Sequence, residues 1–202
     1  KKILPLVWKS KVPLRVKLQS TFHLTNNLVF PFILLAAILN VPLIFIKNSG
    51  AHDIYFAIMS LFVLAFISSF LFYMYSQKDI RTDWQKRIVL FPLFMAGSMG
   101  LAVNNSRAVF EGLMNRKSEF VRTPKFKQES DKDTFIGNKY LNKKLGLSVF
   151  VEAVLAVYCF IGVLSSIYFM ELASIPFQVL FTLGFSFIAY TSIKHAYATK
   201  KI

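Results

Sequence analysis

The chain has 202 residues, 55% of them hydrophobic and 22 of them Phe, with mean hydropathy +0.51 and a formal net charge of +14. A soluble domain of this length does not need so much apolar residue, and the bases lie between apolar runs, which points to a membrane surface rather than to nucleic acid. The single cysteine, Cys159, excludes an intrachain disulfide and leaves the redox compartment unread. A sequence that opens on Lys1, with no charged-then-apolar leader, reads as an internal or C-terminal piece of a longer protein.

Residues 1–23 are basic and semi-apolar. Pro13 suits a first helical turn, and after it Leu14, Leu18 and Phe22 recur at i, i+4 and i+8 with Lys11, Arg15 and Lys17 elsewhere. That pattern predicts an amphipathic helix lying on a membrane face. Residues 24–46 form the first predicted span, since a bilayer core of about 30 Å needs roughly 20 apolar residues. Pro31 and Pro42 are its expected kinks. A short polar turn at 47–53, with Gly50, leads into a second Phe-rich span at 54–75 that ends on the interfacial tyrosines Tyr73 and Tyr75.

Residues 88–103 are apolar but only 16 in number, about 24 Å of helix. Charge decides how to read them. With four spans at 24–46, 54–75, 145–169 and 174–193, only Lys47 among the 24 Lys and Arg falls on the outer side. If 88–103 also crossed, the ten bases of 104–144 would move outside, against the positive-inside rule. The expected fold class is therefore all-α: a polytopic membrane protein with four transmembrane helices plus amphipathic interfacial or re-entrant helices. It forms one module, with an interfacial helix at 1–23, a helical hairpin at 24–75 and an interfacial or re-entrant helix at 76–117. A cytoplasmic loop at 118–144, a second hairpin at 145–193 and a basic tail at 194–202 complete it.

Asn104, Arg107, Glu111 and Asn115 make one polar stripe, with Phe110, Leu113 and Met114 opposite, and Arg107 and Glu111 are spaced for an i,i+4 pair. The turn at 170–173 is so short that the helices on either side must pack antiparallel. Within the third span, Glu152 is an intramembrane carboxylate. It either pairs with Lys143 or Lys144, or reaches water from a shallow position, or lines a polar path or meets another subunit. His23, His52 and His195 are isolated, so no metal cluster is expected, and no carboxylate pair or nucleophile–base arrangement can be assembled.

The chemistry of the chain concentrates in Phe120-Val121-Arg122-Thr123-Pro124-Lys125. Lys and Arg beside a diphosphate supply charge, and a Thr hydroxyl supplies a directed hydrogen bond. Phe120 can close over a ligand or pack on a membrane helix. Without a ligand, the same residues make a solvated loop held to anionic headgroups.

This stretch resembles the Phe-x-Val-Thr-x-Lys gating loop of membrane family 2 glycosyltransferases, the cellulose-synthase-like and mannan-synthase-like group. Arg122 stands where the family has valine. Lys1-Lys2-Ile3-Leu4-Pro5 is similar to the residues just after the family's Gln-x-x-Arg-Trp motif, and residues 20–28 to the start of the next span. Residues 104–113 are similar to the interfacial helix ahead of the loop. The resemblance implies a C-terminal membrane platform, or glycan channel, of an inverting, nucleotide-sugar-dependent enzyme of polysaccharide biosynthesis, with Phe120, Arg122, Thr123 and Lys125 at the donor. It also implies that no cofactor is held in this chain. The nucleotide-sugar donor and a divalent metal belong to an upstream catalytic domain, which with the lipid bilayer and other subunits of a membrane complex would be its partners. The location it implies is a bacterial inner membrane, with the basic loops and C-terminus cytoplasmic. The competing reading is a non-enzymatic four-helix subunit of a membrane assembly with a basic docking face.

Overall fold

The computed structural model describes residues 2–50, 52–116 and 146–198. Every regular element among them is helical: α1 (Ile3–Lys9), α2 (Leu14–Thr25), α3 (Val29–Asn48), α4 (Asp53–Met59), α5 (Val63–Ile80), α6 (Trp84–Ile88), α7 (Phe91–Gly100), α8 (Ala102–Leu113), α9 (Leu147–Tyr168) and α10 (Ile175–Ala198). Among these described residues, four stretches are long and apolar enough to cross a membrane: Leu14–Asn48, Asp53–Ile80, Leu147–Tyr168 and Ile175–Tyr197.

The N-terminal region departs from the expected layout in two ways. As expected, a helix opens after Pro13, whose carbonyl accepts from the N–H groups of Val16 and Lys17 at 3.0 and 3.2 Å as α2 begins, but a separate short helix, α1, precedes it within 1–23. Then α2 does not stop before the span. A 3-10 turn at Asn26–Leu28 joins it to α3, giving 35 continuous residues. The hydroxyls of Thr21 and Thr25 bond back to the carbonyls of Lys17 and Thr21, at 2.8 and 2.7 Å, so these polar residues follow the helix instead of capping it. At 1.5 Å per residue the rod is about 52 Å long, well beyond a hydrocarbon core. Helix α1 folds back on it through Trp8 Nε1–H, which donates to Thr21 Oγ1 at 3.0 Å.

Pro42 sits inside α3 and cannot donate to the carbonyl of Ile38. The hydroxyl of Tyr158, near the middle of α9, donates to that carbonyl at 2.7 Å. An expected weak point in α3 is thus a tie between two helices. The core lies between α3, α7, α8, α9 and α10, where Ala37, Ala102, Cys159 and Phe185 are fully buried.

Residues 88–103 are not one segment. Trp84–Gly100 and Ala102–Leu113 meet at a bend of 43°, so this region is a broken span or a re-entrant loop. Helix α7 packs along α10 and not at its end. A Cβ on Gly100 would lie 2.3 Å from the carbonyl oxygen of Gly184, the tenth of the 24 residues of α10. Ala96 and Gly100 supply the small-xxx-small spacing that lets two backbones approach this closely. The α7–α8 bend therefore stands level with the middle of α10.

No described residue of α4 or α5 is buried. This long helix meets the bundle through rings. Phe91 contacts Tyr73, Phe70 and Phe66 at centroid distances of 5.0, 5.4 and 6.5 Å, and Phe66 meets Phe177 at 5.5 Å.

Candidate functional site

Phe120, Arg122, Thr123 and Lys125 lie outside the described residues, as do Lys143 and Lys144. The structure describes the helices from which their segment leaves and to which it returns, α8 and α9. Helix α8 ends at a C-cap motif in which Asn115 has φ 55°, the N–H of Arg116 donates to Glu111 O at 3.0 Å, and the N–H of Asn115 donates to Gly112 O at 3.3 Å. Asparagine tolerates this left-handed geometry, which ends the helix and turns the chain. One turn earlier, Arg107 Nε donates to Glu111 Oε1 at 2.8 Å, the pair expected from spacing. The expected apolar face, Phe110, Leu113 and Met114, is exposed, whereas Ala102, Val103 and Ser106 are the residues α8 buries.

The polar centre of the bundle is Glu152. It is fully buried among the helices. Its Oε1 accepts from Asn104 Nδ2 at 2.7 Å, joining α9 to α8, and its Oε2 has no hydrogen-bond partner among the described residues. Glu152 was legible as an unusual residue and Asn104 as part of a polar stripe. Their pairing across 48 positions was not. The available signal was the pair of amides near the head of α8, where Asn104 and Asn105 follow the apolar Ala102 and Val103.

A second polar group lies deeper in the α9–α10 hairpin. Gln178 is fully buried and fills the space left by Gly162, where a Cβ would meet its carboxamide at 2.6 Å. Ser174 Oγ donates to Ser166 Oγ at 2.7 Å beside it. The hairpin itself turns at Met170, φ 59°, with the N–H of Glu171 donating to Ser166 O at 2.8 Å. Glu171 and Lys47 form an ion pair that links this turn to the end of α3.

Two grooves flank these groups. One, of about 470 Å³, lies between α1, the α2–α3 junction and α8, with Asn27 and Asn105 among apolar walls. The other, of about 320 Å³, lies between α3, the α4–α5 rod and the start of α10. On the charged connection after α5, Arg87 Nε contacts both carboxylate oxygens of Asp83 at 3.1 and 3.0 Å, and this guanidinium holds the Asp83 carboxyl below its usual range. The histidines stand apart, His23 late in α2, His52 before α4 and His195 late in α10, and no group of three or more His, Cys, Asp or Glu gathers among the described residues.

Comparison with protein-family models, curated proteins and solved structures found no match for this chain. Its function is therefore argued from the residues themselves.

Proposed function

We propose that this chain is the membrane-embedded C-terminal part of an inverting, nucleotide-sugar-dependent glycosyltransferase, forming the lipid platform or glycan channel and the gating loop of the donor site. The observation that carries the reading is the order of two sequence blocks, Asn104-Asn105-Ser106-Arg107 followed by Phe120-x-x-Thr123-x-Lys125, between apolar spans. Support comes from α8, a capped helix anchored through Asn104 to Glu152, which gives the loop a fixed point of departure. Support also comes from four helices of membrane-crossing length and composition, which suit a multi-pass protein of a bacterial inner membrane with its basic segments in the cytoplasm.

In this reading Lys125 and Arg122 place positive charge beside the donor diphosphate, and Thr123 donates one hydrogen bond to a phosphate oxygen. Phe120 closes the site against water. The divalent metal and the catalytic base belong to an upstream domain, so no bond-making step is assigned to residues of this chain. The residues encoded upstream of Lys1 test the proposal. It requires an Asp-x-Asp and, just before Lys1, a Gln-x-x-Arg-Trp. A gene that starts within a few residues of Lys1 would overturn it in favour of a non-enzymatic membrane subunit.

A further inference from the structure

The groove of about 320 Å³ between α3, α4–α5 and the start of α10 has a graded lining. Its charged rim is at the helix ends, where Lys47 closes α3, Tyr55 opens α4 and Glu171 occupies the α9–α10 turn. Its walls, one to two turns inward, are Ile44, Met59, Val63 and Phe177. Its outer wall is the rod that buries none of its described residues, although most of its length is apolar.

We infer that this groove is a site for one zwitterionic phospholipid with a primary ammonium headgroup, phosphatidylethanolamine in chemical class. The inference rests on the reading that the four helices cross a bilayer. Charge complementarity selects the headgroup. Lys47 carries three N–H donors and Glu171 two carboxylate oxygens, and their ion pair uses one donor and one oxygen. The remaining donors of Lys47 face a phosphate, and the remaining oxygen of Glu171 faces an ammonium. A neutral ion pair offers no net attraction to an anionic headgroup, whereas it matches both charges of a zwitterion. The Tyr55 ring at the mouth adds a face for the ammonium. The acyl chain lies along Ile44, Met59, Val63 and Phe177, next to the contact of Phe66 with Phe177.

The test is native mass spectrometry of the intact purified protein, incubated in detergent with phosphatidylethanolamine or phosphatidylglycerol, with circular dichroism confirming the fold of each variant. Wild type retains one phosphatidylethanolamine in preference to phosphatidylglycerol. Glu171→Gln leaves the Lys47 charge unbalanced and turns the preference towards phosphatidylglycerol. Ser60→Trp fills the groove and loses both lipids with the ion pair intact. Equal retention of the two lipids by wild type, or a preference unmoved by Glu171→Gln, overturns the site. Release of the protein from membranes by alkaline carbonate without detergent would instead overturn the bilayer reading itself.

Discussion

Gly97 and Gly100 lie one turn apart on α7, and the structure assigns them opposite responses to the same substitution. A Cβ at Gly97 meets nothing within 4 Å, whereas one at Gly100 would lie 2.3 Å from Gly184 O and 2.6 Å from Gly184 C. Both contacts are backbone, so no side chain can rotate away. Restoring ordinary contact at 3.4 Å moves α7 off α10 by about 1.1 Å, the difference between the two distances. Overpacking of this kind costs about 1–3 kcal/mol. Alanine is favoured over glycine in a helix interior by about 0.8–1.0 kcal/mol, so Gly97→Ala is neutral or slightly stabilising. Gly184→Ala meets Ala96 O at 2.2 Å and forces the same separation, so the Gly100→Ala/Gly184→Ala double variant loses less than the two single losses combined. Unfolding in mixed micelles of rising SDS fraction, followed by circular dichroism, reads the series. Equal stability of Gly100→Ala and Gly97→Ala would refute the backbone contact between α7 and α10.

Removing the hydroxyl in Tyr158→Phe orphans the Ile38 carbonyl opposite Pro42, and the same unfolding assay should show a loss of about 1–3 kcal/mol; Tyr158→Phe combined with Pro42→Ala should recover it, because alanine returns the missing N–H. Asn104→Ala removes the described donor to the buried Glu152 and should destabilise by about 1–3 kcal/mol, while Asn104→Ala/Glu152→Leu should be closer to wild type because no polar group is then stranded. Because Cys159 is buried, single cysteines can be labelled against a silent background: Ser49→Cys and Ser130→Cys should react with impermeant maleimide from opposite sides of the membrane, and labelling of both from one side would mean that α7 and α8 complete a fifth span.

The four long helices were legible because their apolar runs are long and their bases fall in blocks, a signal that survives without any tertiary detail. The break at Pro13 follows from a local rule and gives α2 its start. What did not read from the sequence depends on partners far along the chain. Pro42 reads as a kink until Tyr158 is seen to take the carbonyl it orphans, 120 positions away. The boundary expected at 23/24 is crossed without a stop, because the Thr25 hydroxyl bonds back within the helix and a 3-10 turn at Asn26–Leu28 carries α2 on into α3. Residues 88–103 were too short to assign by length. The fit of Gly100 on Gly184, which lays α7 along α10, is something hydropathy cannot register because both residues are nearly neutral. Glu152 declared itself as a charge in an apolar run, while the amide that meets it sat in a stripe that periodicity assigns to the surface.

The central claim, that Phe120, Arg122, Thr123 and Lys125 act on a nucleotide diphosphate, is tested most directly by nucleotide-sugar turnover of the full-length protein carrying Thr123→Val, with Lys125→Ala assayed beside it at two salt concentrations. Valine keeps the shape of threonine and removes one hydrogen bond to a charged group, about 1.5–3 kcal/mol. Since about 1.4 kcal/mol is tenfold in rate, turnover should fall roughly tenfold or more. Lys125→Ala should weaken donor binding and blunt its dependence on salt. Wild-type turnover in Thr123→Val would contradict the account, whatever the number of spans.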